Sequence, residues 1–302
     1  MDQAPGSPQD PRDQGPQNAQ SLPTCYRHPD RETGIRCTRC ERAICPECMV
    51  SASVGFQCPE CVRTGSGTGH SPAANQPRTL AGGRVTSDPR LVTKILIGVN
   101  LVVFLAQQVL GDSFTDRLYL FGQAQLDGRI QGVAEGQWYR MLTSMFLHAS
   151  IVHILFNMLS LWWIGGPLEA FLGRARYLTL YLLSGLAGSA LTYLVAATNS
   201  PSLGASGAIF GLFGATAVLM RRLNYDMRPV IALLAINMVF TFSPAFNIAW
   251  EAHVGGLVGG VVVGYAMVHA PREHRNAIQY GVCAVVLAVV VVLTLVRTAQ
   301  LT

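Results

Sequence analysis

Two segments, GASGAIFGLFGATAVLM (residues 204–220) and EAHVGGLVGGVVVGYAM (residues 251–267), indicate the fold most clearly. Both are apolar and approach the length of about 20 residues that a membrane-spanning helix needs. The second carries Gly256 and Gly260, which lie four residues apart and therefore on one helix face. Small residues at this spacing let membrane helices approach closely. The two stretches predict a pair of tightly packed transmembrane helices.

The composition of the whole chain indicates a membrane protein. Hydrophobic residues make up 50% of the 302 residues and charged residues only 13%, whereas a soluble domain carries about 25% charged residues. The apolar residues cluster in long blocks between Leu91 and Val296. We therefore predict an all-α, polytopic membrane protein. The formal charge of +5 is small for this length, so no nucleic-acid partner is expected.

Seven spanning helices are predicted, at residues 91–111, 150–170, 176–197, 206–221, 228–244, 251–270 and 277–297. The short loops set the orientation, because basic residues favour the cytosolic side. The more basic side carries Arg84, Arg90, Lys94, Arg174, Arg176, Arg221, Arg222, Arg228, Arg272 and Arg275. We therefore predict a multi-pass protein of the cell membrane with a cytosolic N-terminus and an extracytoplasmic C-terminus. Arginine is strongly preferred to lysine, which indicates a GC-rich, bacterial source.

Composition divides the chain into five segments: a disordered N-terminus (1–24), a cysteine-rich module (25–62), a flexible linker (63–90), a membrane core (91–270) and an additional transmembrane helix with the C-terminus (271–302). The first segment is rich in Pro and Gln, which is typical of disorder. The third is rich in Gly, Ser and Pro, which is typical of a flexible linker.

Four pairs of candidate metal ligands lie in the cysteine-rich module: Cys25 and His28, Cys37 and Cys40, Cys45 and Cys48, and Cys58 and Cys61. Two residues separate the members of each pair, so both side chains can reach one tetrahedral zinc ion. Eight ligands suffice for two closed sites, and we predict two structural zinc ions. A disulfide cluster is the alternative, but seven cysteines are an odd number and the cytosol is reducing. Cys283 lies in the last predicted helix and is expected to be a packing residue.

The cysteine-rich module resembles a B-box or RING-like zinc finger. That resemblance implies an interleaved pairing, in which Cys25, His28, Cys45 and Cys48 bind one ion and the other four ligands bind the second. Sequential pairing remains open. Such a finger implies protein binding or regulation, so a cytosolic protein partner is expected for this segment.

Polar side chains inside the predicted membrane helices form a second group of candidates. Ser206 opens the fourth helix and His253 lies near the outer end of the sixth, while His153 and Asn157 share one face of the second. The predicted topology puts all four in the outer half of the membrane. Peptide hydrolysis needs a nucleophile, a base and donors to the oxyanion. Ser206 can supply the nucleophile and His253 the base, with His153 and Asn157 as donors beside a helix N-terminus.

Each of these residues also has a structural interpretation. A serine between glycines in a membrane helix is, taken alone, more often a packing residue. A single membrane histidine is commonly a hydrogen-bonding partner. Three histidines could bind a metal, but the sequence has no HExxH helix and asparagine is a poor zinc ligand. The combination of the four residues, rather than any one of them, favours catalysis.

Between residues 91 and 270 the chain resembles the rhomboid family of intramembrane serine proteases in the order and spacing of five motifs. They are Trp138-x-Arg140, HILFN (153–157), Gly165-x3-Glu169-x3-Gly173, GASG (204–207) and Ala252-His253-x2-Gly256-x3-Gly260. The resemblance implies a core of six helices and a water-filled cavity open to the outside. The seventh helix and the zinc module lie outside this match.

The resemblance also implies roles for particular residues. Ser206 and His253 correspond to a catalytic dyad without a third, acidic member. His153 and Asn157, together with the backbone N–H of Ser206, correspond to the oxyanion hole. Phe210 falls where an aromatic ring packs on the catalytic imidazole and orients it.

The function implied is the hydrolysis of peptide bonds in or near the transmembrane segments of single-pass membrane proteins, within the lipid bilayer. His148 matches a further position of the His-x-x-x-Asn motif, for which the resemblance implies a supporting structural role. The resemblance implies no metal for the proteolysis. A catalytically inactive, client-binding relative is the alternative, but the presence of both Ser206 and His253 argues against it. A transporter would carry inverted repeats, which the sequence does not show.

Overall fold

The computed structural model describes residues 22–52, 54–64, 78–126, 128–242 and 248–302, except for the side chain of Phe240. The chain forms two compact units, Met1–Gln76 (unit 1) and Pro77–Thr302 (unit 2). The boundary between them falls inside the stretch predicted as a linker. Most of the predicted disordered N-terminus, 1–21, and part of that linker, 65–77, lie outside the described residues.

Unit 1 contains the cysteine-rich module, whose core consists largely of candidate metal ligands. Its elements are a 3₁₀ turn (Pro46–Cys48), an antiparallel hairpin of β1 (Val50–Ser51) and β2 (Phe56–Gln57), and α1 (Pro59–Thr64). Six cysteines and Ile44 form the buried cluster of the described part of this unit. A core with so little aliphatic surface cannot stabilise a small fold, which is why such modules need metals or disulfides.

Unit 2 is a helical bundle with one small hairpin. Its helices are α2 (Leu91–Leu110), α3 (Asp112–Asp116), α4 (Arg140–Thr143), α5 (Ile151–Leu172), α6 (Arg174–Val195), α7 (Ser206–Arg222), α8 (Arg228–Phe242), α9 (Trp250–His269) and α10 (Arg275–Leu301), and its strands are β3 (Ala124–Leu126) and β4 (Arg129–Gln131). β3 and β4 pair antiparallel. A 3₁₀ turn, Ser144–Phe146, follows α4, and residues Leu161–Gly165 of α5 are π-helical.

The predicted fold class, an all-α polytopic membrane protein, is confirmed. In the described part of the chain, α2, α5, α6, α9 and α10 are long and apolar enough to cross a bilayer. α7 and α8 are shorter, with 17 and 15 residues, so the count of seven spans stays a prediction. The described helices begin and end within a few residues of the predicted positions. The last two residues of the predicted helix 228–244 lie outside the described residues.

The stretch 78–90, predicted as the end of a flexible linker, packs against the helices of unit 2. A Cβ atom at Gly83 would overlap the carbonyl oxygen of Leu172 at the end of α5. Ala81 is buried, and its carbonyl oxygen accepts a hydrogen bond from the Gln279 side chain of α10. The bundle therefore includes this turn.

α10, the additional C-terminal helix, is held against α6 by polar contacts near both of its ends. The Arg176 guanidinium donates to Gln279 Oε1 at 2.7 Å and to Asn276 Oδ1 at 2.8 Å. Near the other end, the Tyr193 and Thr298 hydroxyls lie 3.0 Å apart. These contacts hold α10 in one orientation about its own axis and in one position along that axis. α10 is therefore an integral part of the bundle.

The N-terminus of α2 is capped by a buried carboxylate from α5. Glu169 accepts hydrogen bonds from the backbone N–H groups of Val92 and Thr93 and from the Thr93 hydroxyl, at 2.8–2.9 Å. These N–H groups belong to a first helical turn and lack intrahelical acceptors. The negative charge also complements the positive end of the helix dipole.

α9 packs against α6 and α7 through glycine faces that bring the backbones into direct contact. A Cβ atom at Gly256 would overlap the carbonyl oxygen of Gly207, and one at Gly260 would overlap the backbone of Gly211. On the adjoining face, Gly255 meets α6 in the same way. Ten of the 17 residues of α7 are buried, so this helix lies in the middle of the bundle and its N-terminus is held from two sides.

We expect Gly256→Ala to destabilise the bundle, because the added methyl group has no space between α9 and α7. Overpacking of this kind costs about 1–3 kcal/mol. The midpoint of thermal unfolding in detergent should therefore fall. Gly98→Ala on α2 is the matched control, since nothing lies within 4 Å of its Cβ position, and its midpoint should hold or rise. Equal midpoints for the two variants would contradict the packing argument.

Candidate active site and metal centres

The central contact of the candidate active site joins the N-terminal ends of α7 and α9. His253 Nε2 lies 2.7 Å from Ser206 Oγ, within the range expected for a base and its nucleophile. His253 is buried, at 5% exposure, and Ser206 is half-buried. The glycine contacts between the two helices bring these side chains together, although they are 47 residues apart in sequence.

The ring of Phe210 covers one face of the His253 imidazole. The ring centroids are 4.1 Å apart and the planes are inclined by 13°. Phe210 lies one turn after Ser206 on α7 and is buried. A stacked ring restricts rotation of the imidazole, but it offers no hydrogen-bond acceptor for the ring nitrogens.

The other ring nitrogen of His253 meets a residue that the sequence analysis missed. Thr241 Oγ1, near the end of α8, lies 2.7 Å from His253 Nδ1. The same oxygen lies 2.7 Å from the backbone carbonyl oxygen of Asn237. The signal available in the sequence was weak: Asn237 and Thr241 are polar residues four apart in a helix that is otherwise apolar from Pro229 to Phe242.

His153 lies beside Ser206 on the first turn of α5. Ser150 caps this helix by accepting a hydrogen bond from the His153 N–H at 3.1 Å. The Ala149 N–H points to His153 Nδ1 at 3.4 Å, which leaves Nε2 as the nitrogen that carries the hydrogen. A Cβ atom at Gly204 would lie 2.9 Å from that Nε2 and 3.5 Å from Ser206 Oγ. A side chain at Gly204, where φ is +135°, would therefore separate His153 from Ser206.

Asn157 lies one turn further along α5 and is buried. Its Nδ2 donates to the His153 carbonyl oxygen at 2.9 Å, and its amide retains a second hydrogen for another acceptor. The His148 ring contacts the His153 ring edge-on, with centroids 5.1 Å apart. The first-turn N–H groups of α7, beginning at Ser206, have no intrahelical acceptor.

A polar cavity of about 390 Å³ adjoins the site. Gln107, Asp112, Thr115, His148 and Ala149 are among the residues that line it. Its wall includes Ala149, whose N–H contacts the ring of His153. A cavity of this size and polarity can hold water, so water can lie close to the His153 ring.

The candidate metal ligands of unit 1 form two groups, and in each group the ligand atoms lie within 4.8 Å of one another. The first consists of Cys25, His28, Cys45 and Cys48, and the second of Cys37, Cys40, Cys58 and Cys61. This grouping is the interleaved one. The sequential grouping, in which neighbouring pairs share an ion, does not occur among the described residues.

The spacing of the ligand atoms fits zinc. A tetrahedral site with Zn–S of ~2.3 Å and Zn–N of ~2.0 Å has edges of roughly 3.5–3.8 Å. In the first group, His28 Nδ1 lies 3.2 Å from Cys45 Sγ, 3.5 Å from Cys48 Sγ and 3.9 Å from Cys25 Sγ. The first group offers three sulfur donors and one nitrogen donor, the second offers four sulfur donors, and each could hold one zinc ion.

Backbone N–H groups support the sulfur atoms of the second group. Cys40 Sγ and Cys58 Sγ lie 3.7 Å apart, and the Cys58 N–H donates to Cys37 Sγ at 3.2 Å. Burial raises the pKa of the Cys37 thiol, but hydrogen bonds from backbone N–H groups outweigh burial and lower this pKa to about 6. Such outer contacts hold thiolate ligands in place.

Comparison with known proteins gives the family. The Rhomboid domain matches residues 135–270. The candidate rhomboid protease YdcA of Bacillus subtilis (strain 168) is 38% identical over 149 residues, which cover 48% of this chain and 74% of that protein. The chain belongs to the rhomboid family. Both Ser206 and His253 lie inside the rhomboid match, whereas α10 and the cysteine-rich module lie outside it.

Two further rhomboid relatives are longer than the region they share with this chain. Rhomboid protease GluP of Bacillus subtilis is 34% identical over 181 residues, which cover 58% of this chain but 34% of that protein. RHOMBOID-like protein 7 of Arabidopsis thaliana is 34% identical over 178 residues, covering 52% of this chain and 56% of that protein. The chain thus spans about a third of one and about half of the other. Because the relatives come from a bacterium and a plant, the bacterial source stays a prediction.

Proposed function

We propose that this rhomboid protein is an intramembrane serine endopeptidase, with Ser206 as nucleophile and His253 as base. The observation that carries the proposal is the 2.7 Å distance between His253 Nε2 and Ser206 Oγ. Serine is a weak nucleophile unless an adjacent base takes its proton. A serine packed only as a structural residue would not need an imidazole at hydrogen-bonding distance in a buried site.

The reaction follows from the positions of these groups. His253 Nε2 takes the proton of Ser206 Oγ while the oxygen attacks the carbonyl carbon of the scissile bond. His153 Nε2–H, the Asn157 amide and the Ser206 N–H donate to the oxyanion that forms. The protonated His253 then gives its proton to the leaving amine. Water from the adjoining cavity hydrolyses the acyl-enzyme, with His253 again as the base.

The substrates that suit this site are single-pass membrane proteins, cleaved in or near their transmembrane segments. The dyad lies at the ends of helices that belong to a membrane-spanning bundle, so a substrate in the bilayer is the one within reach. The proteolysis requires no metal or cofactor, because Ser206 and His253 supply both nucleophile and base.

The orientation proposed is N-terminus cytosolic and C-terminus extracytoplasmic, in the cell membrane. Arg174, Arg222 and Arg275 lie at helix ends away from the dyad. Basic residues concentrate on the cytosolic side of membrane proteins. The dyad would therefore act in the outer half of the membrane.

We further propose that the cysteine-rich module of residues 25–62 binds two structural zinc ions through its two ligand groups. Neither group leaves a position for water, so the ions would stabilise the fold of the module rather than catalyse a reaction. The folded module would offer a surface to a cytosolic protein partner.

Labelling with a fluorophosphonate probe tests the dyad without knowledge of the substrate. We expect the detergent-purified protein to be labelled, Ser206→Ala to lose labelling, and His253→Ala to be slowed at least about 1000-fold. Ser160→Ala on α5 and His269→Ala at the far end of α9 are matched controls and should be labelled like the wild type. A folded wild type without labelling would favour the alternative, a rhomboid that binds clients without cutting them.

The oxyanion donors should affect the labelling rate without abolishing it. We expect His153→Ala and Asn157→Ala each to slow labelling about 100- to 1000-fold, because the phosphonyl oxygen occupies the position of the oxyanion. Leu155→Ala, an exposed position on the same helix, is the control and should label normally. Rates within about threefold of the wild type for both donors would argue against this role.

Metal content tests the zinc proposal. We expect elemental analysis of the purified full-length protein to find two zinc ions per chain, one for each ligand group. Cys45→Ser and Cys58→Ser should lower that content, because each removes one ligand of a closed site. Cys283→Ser, in α10, should leave it unchanged. A metal-free wild type or equal zinc in all the variants would contradict the proposal.

A further inference from the structure

The base of the proposed dyad works only in one of its two neutral forms. A neutral imidazole carries a single hydrogen, on Nδ1 or on Nε2. His253 Nε2 can accept the Ser206 proton only if the hydrogen is on Nδ1. Serine proteases with a third, acidic residue fix this tautomer with its carboxylate, and the Phe210 ring that covers His253 cannot accept such a hydrogen bond.

Thr241 occupies the position that such an acceptor would need. Its hydroxyl oxygen lies 2.7 Å from His253 Nδ1, and the residue is 3% exposed. Thr241 belongs to α8, a helix separate from those that carry the dyad. Among the described side chains of α8 it is the one that is buried. The contact is therefore made inside the bundle, where a hydrogen bond has little competition from water.

The direction of this hydrogen bond follows from the other contact of the hydroxyl. Thr241 Oγ1 lies 2.7 Å from the backbone carbonyl oxygen of Asn237. A carbonyl oxygen can only accept, so the single hydroxyl hydrogen points to Asn237. The Thr241 oxygen then presents a lone pair to His253, and the hydrogen between them must belong to Nδ1.

We propose that Thr241 is a positioning residue that holds His253 in the tautomer required of a base. The inference rests on the proposed function, since it assigns a role to Thr241 in the same reaction. The chain of contacts runs from the Asn237 carbonyl oxygen through the Thr241 hydroxyl to Nδ1, and from Nε2 to Ser206. When His253 becomes an imidazolium, the Thr241 oxygen still accepts from Nδ1 and stabilises the charge.

The experiment combines labelling rates with a direct observation of the tautomer. Thr241→Val replaces the hydroxyl with a methyl group of similar size, and we expect it to slow fluorophosphonate labelling about 10- to 100-fold. Thr241→Ser keeps the hydroxyl and should stay within about threefold of the wild type. Thr192→Val is the matched control: Thr192 is also buried and its hydroxyl also donates to the carbonyl four residues earlier, at 3.0 Å. Among the described residues this is the one hydrogen bond that the Thr192 side chain makes. Thr192→Val should label normally.

Nitrogen NMR of histidine-labelled protein reads the tautomer independently of activity. We expect His253 to carry its hydrogen on Nδ1 in the wild type and in Thr241→Ser, and to lose this preference in Thr241→Val. A wild-type His253 with its hydrogen on Nε2, or Thr241→Val labelling as fast as Thr192→Val, would overturn the role of Thr241. Absence of labelling in a folded wild type whose His253 carries the Nδ1 hydrogen would instead count against the proposed function.

Discussion

The candidate active site depends on the direct contact between the backbones of α7 and α9. At Gly207 and Gly256 the two helices are so close that no Cβ atom fits between them. Ser206 and His253 stand beside this contact, and the hydrogen bond between them tolerates only a few tenths of an ångström in length. If Ser206 and His253 act as nucleophile and base as we propose, their chemistry requires the same close approach of α7 and α9 as the helix packing. A larger residue at the contact would separate the helices and the dyad together.

The sequence was sufficient for the fold class because apolar blocks of helical length are a strong signal. The number of spans was harder to predict, for a physical reason. α7 and α8 are short, and α7 is surrounded by other helices rather than by lipid. Hydropathy cannot distinguish a helix buried in protein from one that faces lipid, since both are apolar. The sequence also did not indicate that residues 78–90 pack against the helices of unit 2, because their Gly-rich composition is equally typical of a linker.

For the candidate site, the sequence predicted the relative positions of residues in one helix better than contacts between residues of different helices. His153 and Asn157 share a face by their spacing alone, and this could be read directly. The approach of Ser206 to His253 was expected only through the glycine faces and the family resemblance. No sequence motif marked Thr241. Its proposed role as a positioning residue depends on the position of α8 in the bundle and on the direction of its hydroxyl hydrogen. The grouping of the ligands in the cysteine-rich module could not be predicted from spacing either, because all four ligand pairs have the same spacing and allow both the interleaved and the sequential pairing.

The interleaved grouping has a consequence for how the module comes to be folded. The first ligand group closes a loop from His28 to Cys45, and that loop contains Cys37 and Cys40 of the second group. Closing either loop brings the ligands of the other closer together and reduces the chain entropy that remains to be lost. If the module binds zinc as we propose, each ion would prepare the site of the other, so the second ion would bind more readily than the first. The module would exist mainly in two states, with both ions and folded or with neither and open.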